Sequence, residues 1–246
     1  MLLAPSWLAI LCTASLTVGF ICAVVILIDV LLHPPHMPIM AIVWPVCALF
    51  GTVFLLWLYF RHGRAVGKVS AGHPHQSGHG DKPASSQAFP ILVAKGTLHC
   101  GSGCTLGDII AEWLAYAVPP AAIAFGWHSV FSEKTYAVWA LDFALAFGFG
   151  IIFQYFALVP MRHSSLWRGI FAALKADTLS LLAWQIGMYC LMAFLQFAVF
   201  ARKLGGPAPV DSPVFWGAMQ LAMIAGFITS YPMNWWLIKS GVKEPM

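Results

Sequence analysis

Charge is what this sequence has least of. Asp, Glu, Lys and Arg make up 9% of its 246 residues, whereas 60% are hydrophobic; a soluble domain carries about 25% charged residues. So little polar surface excludes a water-soluble globular protein, and a net charge of +4 gives no basic face for nucleic acid. The N-terminus has no Lys or Arg ahead of the first apolar run. That run is also longer than the apolar stretch of a leader, so it reads as a retained helix, with cleavage the lesser alternative. Glycine-rich phosphate loops, serine-nucleophile motifs and haem-attachment motifs are missing as well, which removes the reaction classes that those motifs announce.

Apolar runs fill the space instead. Six of them, at about 5–31, 38–60, 105–130, 135–159, 170–200 and 213–238, reach the roughly 20 residues that a helix needs to span hydrocarbon, without the alternation of barrel strands. The predicted fold is all-α, a polytopic membrane protein of six transmembrane helices. Lys and Arg near the run ends set the orientation. With the N-terminus inside, Arg61, Arg64, Lys68, Lys82, Lys95, Arg162, Arg168, Lys239 and Lys243 gather on the cytoplasmic side, against Lys134, Arg202 and Lys203 opposite. Both termini are therefore expected in the cytoplasm. Three regions follow: a two-helix membrane unit over 1–61, a flexible His-rich cytoplasmic loop over 62–97, and a four-helix membrane domain over 98–246. In the loop, His62, His73, His75 and His79 read as a solvated linker, with metal buffering as the alternative.

Chemistry has to come from the few polar residues that hydrocarbon makes costly. The stretch HCGSGCTLGD, residues 99–108, contains two glycines that disfavour a helix before about residue 103, then Thr105 and Asp108 spaced as a capping box. Asp108 thus reads as a helix cap as readily as a functional acid. Gly103 and Gly107 have the four-residue spacing of close helix contacts. His99, Cys100 and Cys104 combine donors suited to copper or zinc, although buried Cys is also an ordinary small hydrophobe. Cys12, Cys22, Cys47 and Cys190 read as packing residues.

Glu112 stands roughly one turn deeper than Asp108, where an acid costs about 2.5–3.5 kcal/mol unless protonated or paired. Something should face it. Candidates at that depth are Gln154, Asp177 and Asn234, which with Asp108 and Glu112 would form one polar centre in the cytoplasmic leaflet. Gln154 and Asn234 also suit plain interhelical hydrogen bonds, and Lys175 suits a snorkelling interface residue. Asp142, in the outer half of the fourth run, is an intramembrane acid without a nameable partner. On the opposite side, HPPHMPIM supplies His33, His36, Met37 and Met40, an imidazole and thioether set that favours copper, against the plainer reading of a turn and core methionines.

The stretches HCGSGCTLGDIIAEW, FGIIFQYFALVPMR, ALKADTLSLLAWQIGM and FITSYPMNWWLIKSGVKE together resemble a bacterial integral-membrane family known only as a domain of unknown function, with the element His-Cys-Gly-x-Gly-Cys-x-x-Gly-Asp as its most distinctive part. The resemblance implies a multi-helix fold in the bacterial inner membrane, a loose association with copper, and no known activity. It carries over His99, Cys100, Cys104, Asp108, Glu112 and Asp177 as family-like positions without roles.

These residues point first to handling or transport of a transition-metal ion, copper before zinc, between the His33, His36, Met37 and Met40 group and the His99, Cys100 and Cys104 group, past Asp142 and Glu112. The alternatives are a membrane thiol or metal-dependent oxidoreductase using Cys100 and Cys104, and a scaffold whose polar residues only lock helices. The lipid bilayer is the one partner that composition requires.

Overall fold

The computed structural model describes residues 5–35, 37–64, 88–158 and 166–243, with the side chains of Gln154 and 157–176 left out. Its elements are helical: α1 (Ser6–Leu32), α2 (Met40–Leu58, continued by a π-helical turn over Tyr59–Gly63), α3 (Phe89–Ala117), α4 (Pro119–Ala124), α5 (Lys134–Leu158), α6 (Leu166–Ala193, continued by a π-helical stretch over Phe194–Phe200), α7 (Ala201–Lys203) and α8 (Pro213–Lys239). Among the described residues five stretches are long and apolar enough to cross a membrane: Ser6–Leu32, Met40–Gly63, Lys134–Phe153, Asp177–Lys203 and Pro213–Lys239. The chain is a multi-pass membrane protein. Ser212 caps α8 as its sequence suggests, accepting from Phe215 N at 3.3 Å, and α3 stops at Val118, ahead of Pro119 and Pro120.

The motif region departs from its reading as a helix start. α3 begins at Phe89 and runs 29 residues without a break, so HCGSGCTLGD lies inside a helix, residues 89–97 are not loop, and Asp108 is no cap. The glycines are there for packing. Every residue from Gly96 to Thr105 is buried, because α3 is packed by α2, α5, α6 and α8. Bilayer helices associate through small residues that let backbones approach. Gly103 meets Gly150 of α5, and a β-carbon on Gly107 would stand 2.7 Å from Ala146 N. Trp184 of α6 occupies the space that side chains at Gly101 and Gly226 would take.

The second apolar run also departs from expectation. Thr52 adopts φ 46° and ψ −132°, a conformation that costs a β-branched residue about 1–3 kcal/mol, and α2 turns back there. Trp44 packs edge-on against Tyr59 with ring centroids 5.5 Å apart, and a β-carbon on Gly63 would lie 2.6 Å from the Trp44 ring. A straight helix would hold residues 44 and 63 about 28 Å apart. Backbone groups at such a reversal need partners in hydrocarbon. Gln220 Nε2 donates to Leu49 O at 2.6 Å, and Ser15 Oγ donates to Gln220 Oε1 at 2.8 Å.

The legs of this hairpin open at the end of the bundle where α1 finishes. Tyr59 Oη donates to Asp29 Oδ2 at 2.8 Å and Arg64 pairs with Asp29 Oδ1 at 2.9 Å. Cys12 faces Gly217 and Ser15 faces Gln220, so α1 runs parallel to α8. Ser6 and Lys239 consequently lie at opposite ends, whereas six full-length crossings would put them at the same one. We call the end holding Arg61, Arg64 and Lys239 the basic end, and the end holding Lys134, Arg202 and Lys203 the far end.

The α3–α5 contact is testable by volume alone. Gly107→Ala has backbone in its way and should destabilise the protein by about 1–3 kcal/mol. Gly148→Ala, with nothing within 4 Å of its new β-carbon, should leave the thermal unfolding midpoint in detergent unchanged or higher.

Candidate functional site

Close approach of α3 and α5 puts carboxyls from both helices into one seam. Asp108 and Asp142, each 1% exposed, stand within hydrogen-bonding reach of one another. From α6, Tyr189 Oη donates to Asp142 Oδ2 and Gln185 Nε2 approaches the same oxygen at 3.4 Å. Asp108 Oδ2 and Asp142 Oδ1 have no hydrogen-bond partner. Two ionised carboxylates about 4 Å apart repel by about 4 kcal/mol even at an effective dielectric of 20. The pair therefore needs a shared proton or a cation. Among the described residues no Lys, Arg or His side chain bonds to either acid.

Glu112, 6% exposed, continues this seam toward the far end. It lies about 35 Å from the start of α3 at 1.5 Å per residue, near the end of that helix and not one turn or so from its start, because α3 begins at Phe89 and not near residue 103. A cavity of about 250 Å³ lies beside it, lined by Glu112, Tyr116, Lys134 and Gln196 among others. Lys134 Nζ also donates to Ala115 O at 2.9 Å, near the C-terminal end of α3.

Toward the basic end the pair is followed by thiols. Cys100 and Cys104 are fully buried and within reach of one another, with Cys47 of the hairpin nearby, its Sγ bonded to Leu98 O at 3.2 Å. Next comes His99, also fully buried, packed edge-on against Phe153 at 6.2 Å, with neither ring nitrogen bonded. Beyond it lies a separate polar cluster. Lys243 Nζ bonds Asp177 Oδ1 at 3.1 Å and Asn234 Oδ1 at 2.9 Å, while Asn234 Nδ2 donates to Ser180 Oγ at 2.6 Å.

The single polar centre expected from the sequence is thus two. Asp108, Glu112 and Asp142 form one, with Asp142 the unforeseen partner of the α3 acids. Asp177 and Asn234 form the other, which the side chain of Asp177 bounds at Gly150, eight residues and about 12 Å along α5 from Asp142. The Gln154 side chain lies outside the described ones. His33, Met37 and Met40 are at the basic end with α3's beginning, not opposite it. His33 Nδ1 lies 3.2 Å from Asp29 Oδ1 and Arg64 lies against its ring, and His36 falls outside the described residues. Among the described residues no three His, Cys, Asp or Glu side chains are grouped so as to hold a metal ion.

Residues 92–243 match the family described as Domain of unknown function (DUF4396). The chain belongs to that family. No curated protein and no solved structure matches it. The DUF4396 region holds both polar clusters and the thiols of α3, whereas the α2 hairpin precedes it. Tyr189, Gln185 and Lys243 are the contributors that sequence reasoning missed. An amide and a phenol four residues apart in an apolar helix share a face, which was the available signal for the first two.

The acid pair can be probed without assuming a function. Tyr189→Phe removes a donor from a buried carboxyl and should cost about 1–3 kcal/mol. Asp108→Asn supplies an N–H to Asp142 in place of an opposing acid, and should leave the unfolding midpoint equal to or above that of the parent.

Proposed function

We propose that this DUF4396 protein moves a cation across a bacterial inner membrane, with Asp108 and Asp142 as its central binding point. The observation that carries the proposal is the pair itself: two buried acids face each other, and among the described residues no cationic side chain bonds to either and no donor reaches Asp108 Oδ2 or Asp142 Oδ1. A helix-locking scaffold would match such acids with donors, whereas ionisable residues turned toward a bundle interior mark ion pathways. Buried polar groups extend from the pair in both directions, through Glu112 to the far-end cavity and through Cys104, Cys100 and His99 toward Asp177. A proton is the cation that the pair holds with least rearrangement.

A soft metal ion is the second reading, resting on the Cys100 and Cys104 thiols, a donor type that suits Cu(I). Copper or zinc would then be cargo. Redox chemistry at Cys100 and Cys104, the enzyme alternative, has less support because both thiols are sealed from solvent.

The membrane arrangement that goes with this reading has five crossings, α1, α3, α5, α6 with α7, and α8, and one re-entrant hairpin, α2. Of the basic residues counted on the cytoplasmic side, the described Arg61, Arg64, Lys95, Lys239 and Lys243 remain together at one end of the bundle. What changes is α1, whose N-terminal end now faces outward, in keeping with its lack of Lys and Arg. Ser6→Cys and Ser240→Cys should react with an impermeant maleimide from opposite faces of the membrane; labelling from one face would restore the six-crossing arrangement.

Flux decides between the readings. Protein reconstituted in liposomes should dissipate a proton gradient, and Asp108→Asn and Asp142→Asn should each lower the rate at least tenfold while remaining folded. Proton-tight vesicles that take up Cu(I), with uptake lost in Cys100→Ser/Cys104→Ser, would establish the metal reading instead. Vesicles tight to both would overturn the proposal.

A further inference from the structure

The second cluster contains a group that the pathway does not use. Lys243 lies beyond the end of α8, in a short hook over Ser240–Lys243 whose outer residues Ser240, Gly241 and Val242 are exposed. Gly241 has φ +73°, a left-handed turn that reverses the chain at little cost for glycine. The amides of Val242 and Lys243 both donate to Leu237 O, at 3.0 and 3.1 Å. Lys243 then points back into the bundle and is itself 1% exposed.

Its ammonium meets a ready-made set of oxygens. Asp177 Oδ1 and Asn234 Oδ1 accept from it at 3.1 and 2.9 Å. The orientation of Asn234 is fixed from behind, because its Nδ2 donates to Ser180 Oγ, Ser230 Oγ and Ser230 O. Asp177, 3% exposed, keeps a second oxygen, Oδ2, unpartnered. An acid and an amide oxygen held in this way form a receptor for a compact cation, and the ammonium inside it comes from the hook that follows α8.

We propose that Asp177 and Asn234 form a second cation site, specific for a primary-ammonium-sized cation and occupied by the chain's own Lys243, which stops it like a tethered ligand. Removing one partner from a buried ion pair leaves the other uncompensated, so an emptied site should take a free cation of the same chemistry. The inference does not depend on translocation through the acid pair.

Ethylammonium is the probe, because it reproduces the end of the lysine side chain. Lys243→Ala in detergent should unfold at a lower temperature than the parent. Millimolar ethylammonium chloride should restore much of the loss, and choline chloride at equal ionic strength should not. Lys243→Ala/Asp177→Asn should show no response to ethylammonium. A folded Lys243→Ala protein indifferent to ethylammonium would overturn the assignment. Should that variant not fold, Asp177→Asn with Lys243 intact gives a second measurement: hydrogen exchange at the Val242 and Lys243 amides should accelerate at least tenfold, and unchanged exchange would show that the ammonium does not hold the hook. A null flux result with intact ethylammonium rescue would remove the translocation reading and leave this site standing.

Discussion

Two helix backbones, α3 and α5, approach each other at a seam of glycine and alanine, and the position of the acids depends on that contact. Inside a bilayer, apolar side chains gain little from leaving lipid for one another, so close packing of small residues has to supply much of the attraction. Gly103 against Gly150 and Gly107 against Ala146 meet this need. The same proximity leaves little room for a large side chain between the helices. Asp108 and Asp142, on either side of the seam, face one another as a result.

Much of the fold could be read from the sequence because hydropathy and the cost of unpaired charge dominate it. The apolar runs and the close contact at Gly103 and Gly107 follow from local rules. The start of α3 did not, and one local rule explains why. Glycine weakens a helix in water, but in the middle of a helix bundle it is the residue that permits contact, so the run of small residues that looked like a loop is buried throughout from Gly96 to Thr105. That error moved Asp108 from helix interior to helix cap and placed Glu112 near the start of α3 when it lies near its end. Pairing Asp108 with Asp142 requires knowing which helices touch, and no periodicity within either helix records that.

The hairpin shows a different limit. Length and hydropathy are the same for a helix that crosses and for one that reverses halfway, and the difference here rests on a single residue, Thr52, held in an unfavourable conformation. Its surroundings hold it there: Gln220, braced by Ser15, binds the Leu49 carbonyl, and Tyr59 and Arg64 fasten the returning leg to Asp29. Among the described residues Arg61, Arg64 and Lys239 share one end of the bundle under either path, so a count of charges does not distinguish a crossing from a reversal.

The two buried acid clusters differ in the way that matters most for chemistry. At Asp177 the chain supplies its own ammonium, together with an amide oriented by two serines, so the charge is compensated from within the protein. At Asp108 and Asp142 the described surroundings supply a phenol and a distant amide, both directed to one oxygen of one acid, and no cationic side chain. A protein that needed only to hold its helices together could have compensated both clusters in the first manner, with a cationic side chain set against each acid. Leaving the Asp108 and Asp142 pair without one costs stability there, and that contrast is the ground on which the proposed cation pathway rests.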